Sequence, residues 1–172
     1  SAVGEQFCSD SAQPVAAWTE LMDRMVLETL PQLPEAIRAG DSLVHHVHGK
    51  TCWERMAEVS GTNELHDIAC GRWTELVVDS VAQSYDFSQV ALLIDVGGGR
   101  GSQLSAILKA NPQLHGTVYD RDETKAAAGA MFLKQGVSDR ACHVTGNFFE
   151  AVPTGADLYT IKHVLHDWDD VS

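Results

Sequence analysis

The sequence predicts an α/β protein, a doubly wound parallel sheet preceded by a helical segment. Three observations predict it. Apolar spacing is helical up to residue 88 and gives way to short continuous apolar runs beyond it. The first of those runs, in "LLIDVGGGRGSQL" (92–104), ends in four glycines within five positions. From there apolar runs and helical stretches alternate, which implies right-handed crossovers and a parallel sheet with helices on its faces.

An early helix carries Trp18, Leu21, Met22, Met25 and Val26 at helical spacing, and Pro31 and Pro34 end it before a short turn, "PEAIRAG", that closes at Gly40. A long amphipathic helix follows in "NELHDIACGRWTELVVDSVAQSY" (63–85). There Leu65, Ile68, Ala69, Trp73, Leu76, Val77 and Val81 recur at steps of three and four, with Thr62 or Asn63 as N-cap. "VALLIDV" (90–96) has the continuous apolar character of a strand buried on both faces. Ser102 to Ala110 is a helix burying Leu104, Ile107 and Leu108, and "GTVYD" (116–120) is a second strand. An alanine-rich helix in "DETKAAAGAMFLKQG" closes at Gly136; "ACHVTG" and "ADLYTIKHV" supply two more strands. The expected domains are therefore a helical segment over 1–88 and a ligand-binding α/β domain over 89–172.

At 172 residues the chain holds one ordinary domain, or a helical piece joined to a partial α/β domain. Its 24 acidic against 12 basic residues, net -12, repel a phosphate backbone or an anionic membrane surface, which argues against nucleic acid and membrane partners. No apolar run approaches the ~20 residues needed to span a bilayer, and "SAVGEQFCSD" lacks the features of a signal peptide, so a cytoplasmic protein is expected. Cys8, Cys52, Cys70 and Cys142 form no C-x-x-C pair and are expected to be reduced thiols. His45, His46, His48 and Cys52 in "HHVHGKTC" match no standard zinc spacing, and a turn before Gly49 accounts for their polarity; no metal is expected. Trp18, Met22, Met25 and Trp53 have the spacing of core or dimer contacts more than of a substrate pocket.

In a doubly wound sheet, ligands sit beyond the carboxyl ends of the strands. Gly97, Gly98, Gly99 and Gly101 lie there, after the first strand. A G-x-G-x-x-G fingerprint fails at Ser102 and Leu104, and no lysine followed by Ser or Thr makes the turn a P-loop; D-x-G-x-G-x-G, Asp95 through Gly101, is the spacing that fits. Asp120 ends the second strand, where a carboxylate accepts both hydroxyls of a ribose. A ribose without a pyrophosphate points to S-adenosylmethionine, whose ammonium Asp95 and loop carbonyls would balance.

"DVGGGRG", "VYDRD", "GNFF" and "ADLYTIKHVLHDWDD", in that order and spacing, resemble the plant and bacterial small-molecule O-methyltransferases that act on phenols and related natural products. The resemblance implies a Rossmann-like, partial class I methyltransferase fold, with S-adenosylmethionine as cofactor. It places Gly97 and its neighbours at the methionine part, Asp120 with Arg121 beside it at the ribose, Asn147 and Phe148 at the adenine, and Lys162 on the cofactor from the fourth strand. His166 would be the catalytic base, with Asp167, Asp169 and Asp170 close by. Asn147 departs from the family's usual Asp, although an amide oxygen still accepts from an adenine amino group. Relatives begin with a winged-helix domain and continue past the last motif. The chain is thus expected to be a fragment or to be completed by another chain, with residues 1–88 as linker, dimerisation and substrate-pocket segment, a homodimer as assembly and a phenolic or polyketide-like acceptor. A relative that keeps the cofactor site for hydroxylation, cyclisation or a non-catalytic role is the alternative, and an NAD-dependent oxidoreductase a second one.

Overall fold

The computed structural model describes residues 1–8 and 15–168. The chain divides into two compact units, residues 1–73 and 74–172.

The first unit is helical: α1 (Ala2–Glu5), α2 (Val15–Met22), α3 (Leu33–Ala39), α4 (Leu43–His48), α5 (Cys52–Glu58) and the start of α6 (Thr62–Ser84). Between α2 and α3 the chain passes through a π turn over Asp23–Leu27 and a 3-10 turn over Leu30–Gln32. Leu21, Met25 and Met56 are buried together, with Trp18, Val26, Trp53, Val59 and Leu65 packed around them. The stripe of Met and aromatic residues is core here, except that Met22 is exposed.

Three local expectations change. "PEAIRAG" is not a turn but the body of α3, since Pro34 sits in the first helical turn, where its missing N–H costs nothing, and Gly40 closes the helix in the left-handed region at φ 69°. The histidine segment is likewise helical. Ser42 caps α4, and Asp41 accepts from His45 Nδ1 at 2.7 Å. Thr62 does not cap α6: it is the first helical residue, fully buried, and its hydroxyl donates back to the carbonyls of Met56 and Val59, each at 2.7 Å.

The second unit holds β1 (Leu92–Val96), α7 (Ser102–Ala110), β2 (His115–Asp120), α8 (Lys125–Gln135), β3 (Ala141–Thr145) and β4 (Leu158–Ile161). The sheet is wholly parallel in the order β3-β2-β1-β4. The chain runs outward from β1 through β2 to β3 and then crosses to the other side of β1. That reversal makes the carboxyl ends of β1 and β4 the switch point of the sheet, the place where a crevice opens.

Alternation along the strands divides the residues between the two faces. Leu93 and Val118 face α7 and α8, in a core with Leu104, Ile107, Leu108, Leu114, Ala128 and Phe132. Leu93, Val118, Leu104, Ile107, Leu108 and Leu114 are fully buried, each worth about 1.5–3 kcal/mol against exposure. Ile94, Val96 and Tyr119 face the other way, under Phe148 and Ala156. Val144, Tyr159 and Ile161, on the edge strands, stay exposed.

β4 is shorter than the apolar run "ADLYTIKHV" suggests. His163 takes φ 54°, which no strand residue adopts, and this ends the extended backbone. At the opposite end of the sheet, Asp157 accepts from the N–H groups of Ala91 and Leu92 at 2.9 and 3.0 Å, aligning the starts of β1 and β4. Arg140, just before β3, ties α7 to β2: its Nη1 donates to the carbonyls of Leu108, Asn111 and Leu114 at 3.1, 3.2 and 2.9 Å.

Arg140→Met keeps the aliphatic bulk and removes the donors from these three carbonyls. We expect a loss of roughly 2–3 kcal/mol in urea unfolding at unchanged m value. A loss below ~0.5 kcal/mol would mean that the three hydrogen bonds add nothing to stability.

Candidate active site

Asp95 is next to last in β1, on the helix-covered face. The residue is 2% exposed. Oδ1 accepts from Thr160 Oγ1 at 2.7 Å and from Gln103 Nε2 at 3.2 Å, while Oδ2 is buried with no hydrogen-bond partner. Thr160 is the residue paired with Asp95 across β1 and β4, and Gln103 lies in the first turn of α7. Burial raises the Asp95 carboxyl from 3.8 to about 6, against the Thr160 hydroxyl, the Lys162 charge and the Gln103 amide, which pull it down.

The glycine loop leaves β1 directly above this carboxylate. Gly97 donates to the Tyr119 carbonyl at 2.9 Å and has φ 66°; a Cβ there would lie 2.5 Å from Val164 Cγ2. A Cβ on Gly98 would lie 2.7 Å from Asp95 Oδ2, and one on Gly101 2.6 Å from Phe132 Cε1. Three of the four glycines are therefore required by the protein's own packing. Gly99, at φ 55°, faces open space within 4 Å, and it is the position where a ligand can approach bare main chain.

Asp120 lies on the same face as Asp95, at the end of the neighbouring strand. Its Oδ2 accepts from Gly99 N–H and its Oδ1 from Arg121 N–H, both at 2.7 Å. Each oxygen keeps a lone pair for a further donor. Arg121 itself is exposed and opens the 3-10 turn Asp122–Thr124. Lys162 follows β4 on the face of Thr160, and its Nζ donates to Thr74 Oγ1 on α6 at 2.8 Å.

Asn147 and Phe148 follow β3. Asn147 is exposed and engaged in its own turn, its Oδ1 accepting from Phe149 N–H at 3.1 Å and its Nδ2 donating to Glu150 at 3.0 Å. Phe148 is half-buried against Ile94, Val96 and Tyr119. His166 is 62% exposed in the 3-10 turn Leu165–Asp167. Its Nε2 lies 3.2 Å from Asp167 Oδ1, and its ring centroid is 5.4 Å from that of His163. Val164, two residues earlier, is the side chain seated over Gly97. Asp169 and Asp170 lie outside the described residues.

The structure thus gathers Asp95, the glycine loop, Asp120 and Lys162 at the ends of three adjacent strands, with His166 on the segment leaving β4. Sequence reasoning missed Thr160, Gln103 and Thr74. Only strand register reveals the first, and only helix packing the other two. Among the described residues, no group of three or more His, Cys, Asp or Glu is placed to hold a metal ion, and no helix is long and apolar enough to cross a membrane.

A doubly wound sheet with a glycine turn and two strand-end carboxylates at its switch point defines a class of nucleoside-cofactor-binding α/β proteins. Within it, residues 30–172 match the model of the O-methyltransferase domain family, and the chain belongs to that family. It is 40% identical over 139 residues to the mitomycin biosynthesis 6-O-methyltransferase of Streptomyces lavendulae, covering 81% of this chain and 40% of that protein. The solved structure of the mitomycin 7-O-methyltransferase MmcR superposes with a TM-score of 0.91 at 36% identity, over 99% of this chain and 51% of that one. That of the O-methyltransferase NcsB1 from neocarzinostatin biosynthesis, in complex with S-adenosylmethionine and 2-hydroxy-5-methyl naphthoic acid, gives 0.84 at 35% identity, over 98% and 52%. A further relative, 30% identical over 80% of this chain and 37% of its own length, is the aclacinomycin 10-hydroxylase RdmB of Streptomyces purpurascens. The chain spans about half the length of the relatives it matches, or less.

Because the Asp95 carboxyl titrates near 6 in the fold and near 3.8 in water, its stabilising contribution is complete below pH 3.8 and is lost as pH rises through 6. Asp95→Asn removes this dependence. Relative to the wild type the variant should gain roughly 2–3 kcal/mol between pH 4 and pH 7 in urea unfolding. A constant difference between the two proteins would show that the buried carboxyl keeps its ordinary pKa.

Proposed function

We propose that this protein transfers a methyl group from S-adenosylmethionine to a hydroxyl of an aromatic or polyketide-like small molecule, with His166 as general base. The observation that carries this reading is the pair of strand-end carboxylates around open main chain, Asp95 and Asp120 with Gly99 between them. The complexed relative supports the cofactor, and the names of the relatives support the reaction.

The residues fit the cofactor. Asp95 has an orphaned oxygen beneath Gly98, and its negative charge would balance the ligand's ammonium. Asp120 has lone pairs left for two ribose hydroxyls. Phe148 offers an apolar wall for a purine and Asn147 an amide for its amino group, with Arg121 at the rim and Lys162 holding positive charge beside Asp95. Gly97, Gly98 and Gly101 let the main chain descend so that Gly99 is presented. When bound, S-adenosylmethionine supplies a methyl group made electrophilic by a sulfonium.

His166 acts on the acceptor. The imidazole takes the proton of the phenol as the oxygen attacks, so the acceptor need not ionise first. Asp167, 3.2 Å from Nε2, then holds the imidazolium. A homodimer, or completion by another chain, fits the apolar side chains exposed on the sheet edges. Retention of the cofactor site for a hydroxylation is the second reading, favoured by the hydroxylase relative.

Calorimetry with S-adenosylhomocysteine and NAD tests the cofactor. The former should bind, about tenfold more weakly at pH 5 than at pH 7 as Asp95 protonates, and Asp95→Asn should abolish that pH dependence. Binding of NAD alone would overturn the reading. His166→Gln tests the reaction: transfer of labelled methyl to phenolic acceptors should fall by ~10²–10⁴ while affinity for S-adenosylhomocysteine is kept. Undiminished transfer by the variant would remove His166 from the mechanism.

A further inference from the structure

Cys70 and His66 lie one helical turn apart on α6, in the first unit. Side chains on a helix lean toward its N-terminus, so a residue at position i+4 reaches the side chain at i. Cys70 Sγ accordingly lies 3.4 Å from His66 Nε2. The other ring nitrogen, Nδ1, lies 3.7 Å from Asp67 Oδ1. A carboxylate near Nδ1 favours a proton there and leaves Nε2 to share the proton of the thiol. The ring is fixed from the sides as well: Trp53 meets it edge-on with centroids 5.1 Å apart, and Trp18 does so at 6.4 Å.

We propose that Cys70 is a thiol nucleophile activated by His66, and that it is a covalent modification site for soft electrophiles of the α,β-unsaturated carbonyl class. The methyl-transfer reading uses neither residue, and this assignment stands apart from it. Thiolate, not thiol, is the attacking form, and an adjacent imidazole is one of the few environments that generate it near neutral pH. His66 is well suited to hold the proton. Burial pushes its pKa down, but the neighbouring Asp67 carboxylate and the Cys70 sulfur outweigh burial and raise it to about 9.

The chemistry balances without an oxidant or reductant. The proton of the pair rests on His66 Nε2, and Cys70 Sγ, as thiolate, bonds to the β-carbon of the electrophile. The alkene electron pair moves to the carbonyl oxygen as an enolate, and the enolate takes the proton back from His66. The product is a thioether on Cys70, with His66 restored.

The other three cysteines give an internal comparison, because Cys8, Cys52 and Cys142 are exposed whereas Cys70 is half-buried. Access alone makes Cys70 the slowest to react; activation makes it the fastest. The 172-residue protein is treated with substoichiometric N-ethylmaleimide at pH 7, and the label on each cysteine is read by peptide mass spectrometry. Cys70 should react at least about fivefold faster than each exposed cysteine, and His66→Gln should bring it below all three. Between pH 6 and 8 the exposed thiols should gain about tenfold per pH unit, and Cys70 less than about threefold. Circular dichroism checks that His66→Gln stays helical, and if it does not, the wild-type pH profile alone decides. Cys70 labelled more slowly than the exposed thiols, or climbing with pH in step with them, overturns the proposal.

Discussion

The second unit is organised around one interaction, the hold that Thr160 and Gln103 take on the buried carboxylate of Asp95. The three residues belong to β4, α7 and β1, so one oxygen atom joins two strands and the first turn of a helix. The other oxygen has no hydrogen-bond partner. A core that needed only rigidity would satisfy both atoms or use an apolar residue of similar shape, since a half-satisfied buried charge costs stability. The raised pKa is that cost in another form. Strain of this kind persists where the charge serves something other than folding.

The glycine loop takes its shape from the same constraint. To pass between Val164, the Asp95 carboxylate and the Phe132 ring, the main chain must do without a Cβ at Gly97, Gly98 and Gly101. A cluster of glycines suggests an approaching ligand, and here most of the approach is made by the protein's own side chains. Tight packing beneath the loop and an open position above it are complementary. Gly99 can be presented with its N–H on Asp120 because its neighbours have sunk. Lys162 limits the cost below, placing a positive charge near Asp95 while its ammonium rests on Thr74.

Much of this architecture was legible in the sequence. The change from helical spacing to continuous apolar runs marks where the sheet begins, and α7 runs from Ser102 to Ala110 as its periodicity indicates. Gly136 closes its helix in the left-handed region, as a glycine after a last helical residue should. Asp95 and Asp120 stood out because a carboxylate at a strand's end, beside glycines, is uncommon without a purpose. Thr160 did not, because its meaning comes from its pairing with Asp95, and one sequence carries no register. Thr62 was misread for a related reason. Thr before an apolar periodic stretch resembles an N-cap, but its hydroxyl serves two carbonyls of the preceding turn. The end of β4 was hidden as well, since β propensity says nothing about a histidine held at φ 54°.

Membership of the O-methyltransferase family does not by itself fix the chemistry, and the structure shows why. The groups proposed to hold the cofactor are anchored in the sheet and tied to one another: Asp95 to Thr160 and Gln103, Asp120 to Gly99. His166 is anchored differently. It lies on an exposed 3-10 turn beyond a strained residue, beside Asp167 and His163 on its own segment. A change there would alter the proposed acid–base chemistry without disturbing the hub at Asp95, so such a scaffold could keep a ligand while its reaction drifts. The hydroxylase among the relatives is the kind of divergence such a division permits. Cofactor and reaction are therefore two separate assignments for this protein, resting on different residues and able to fail independently.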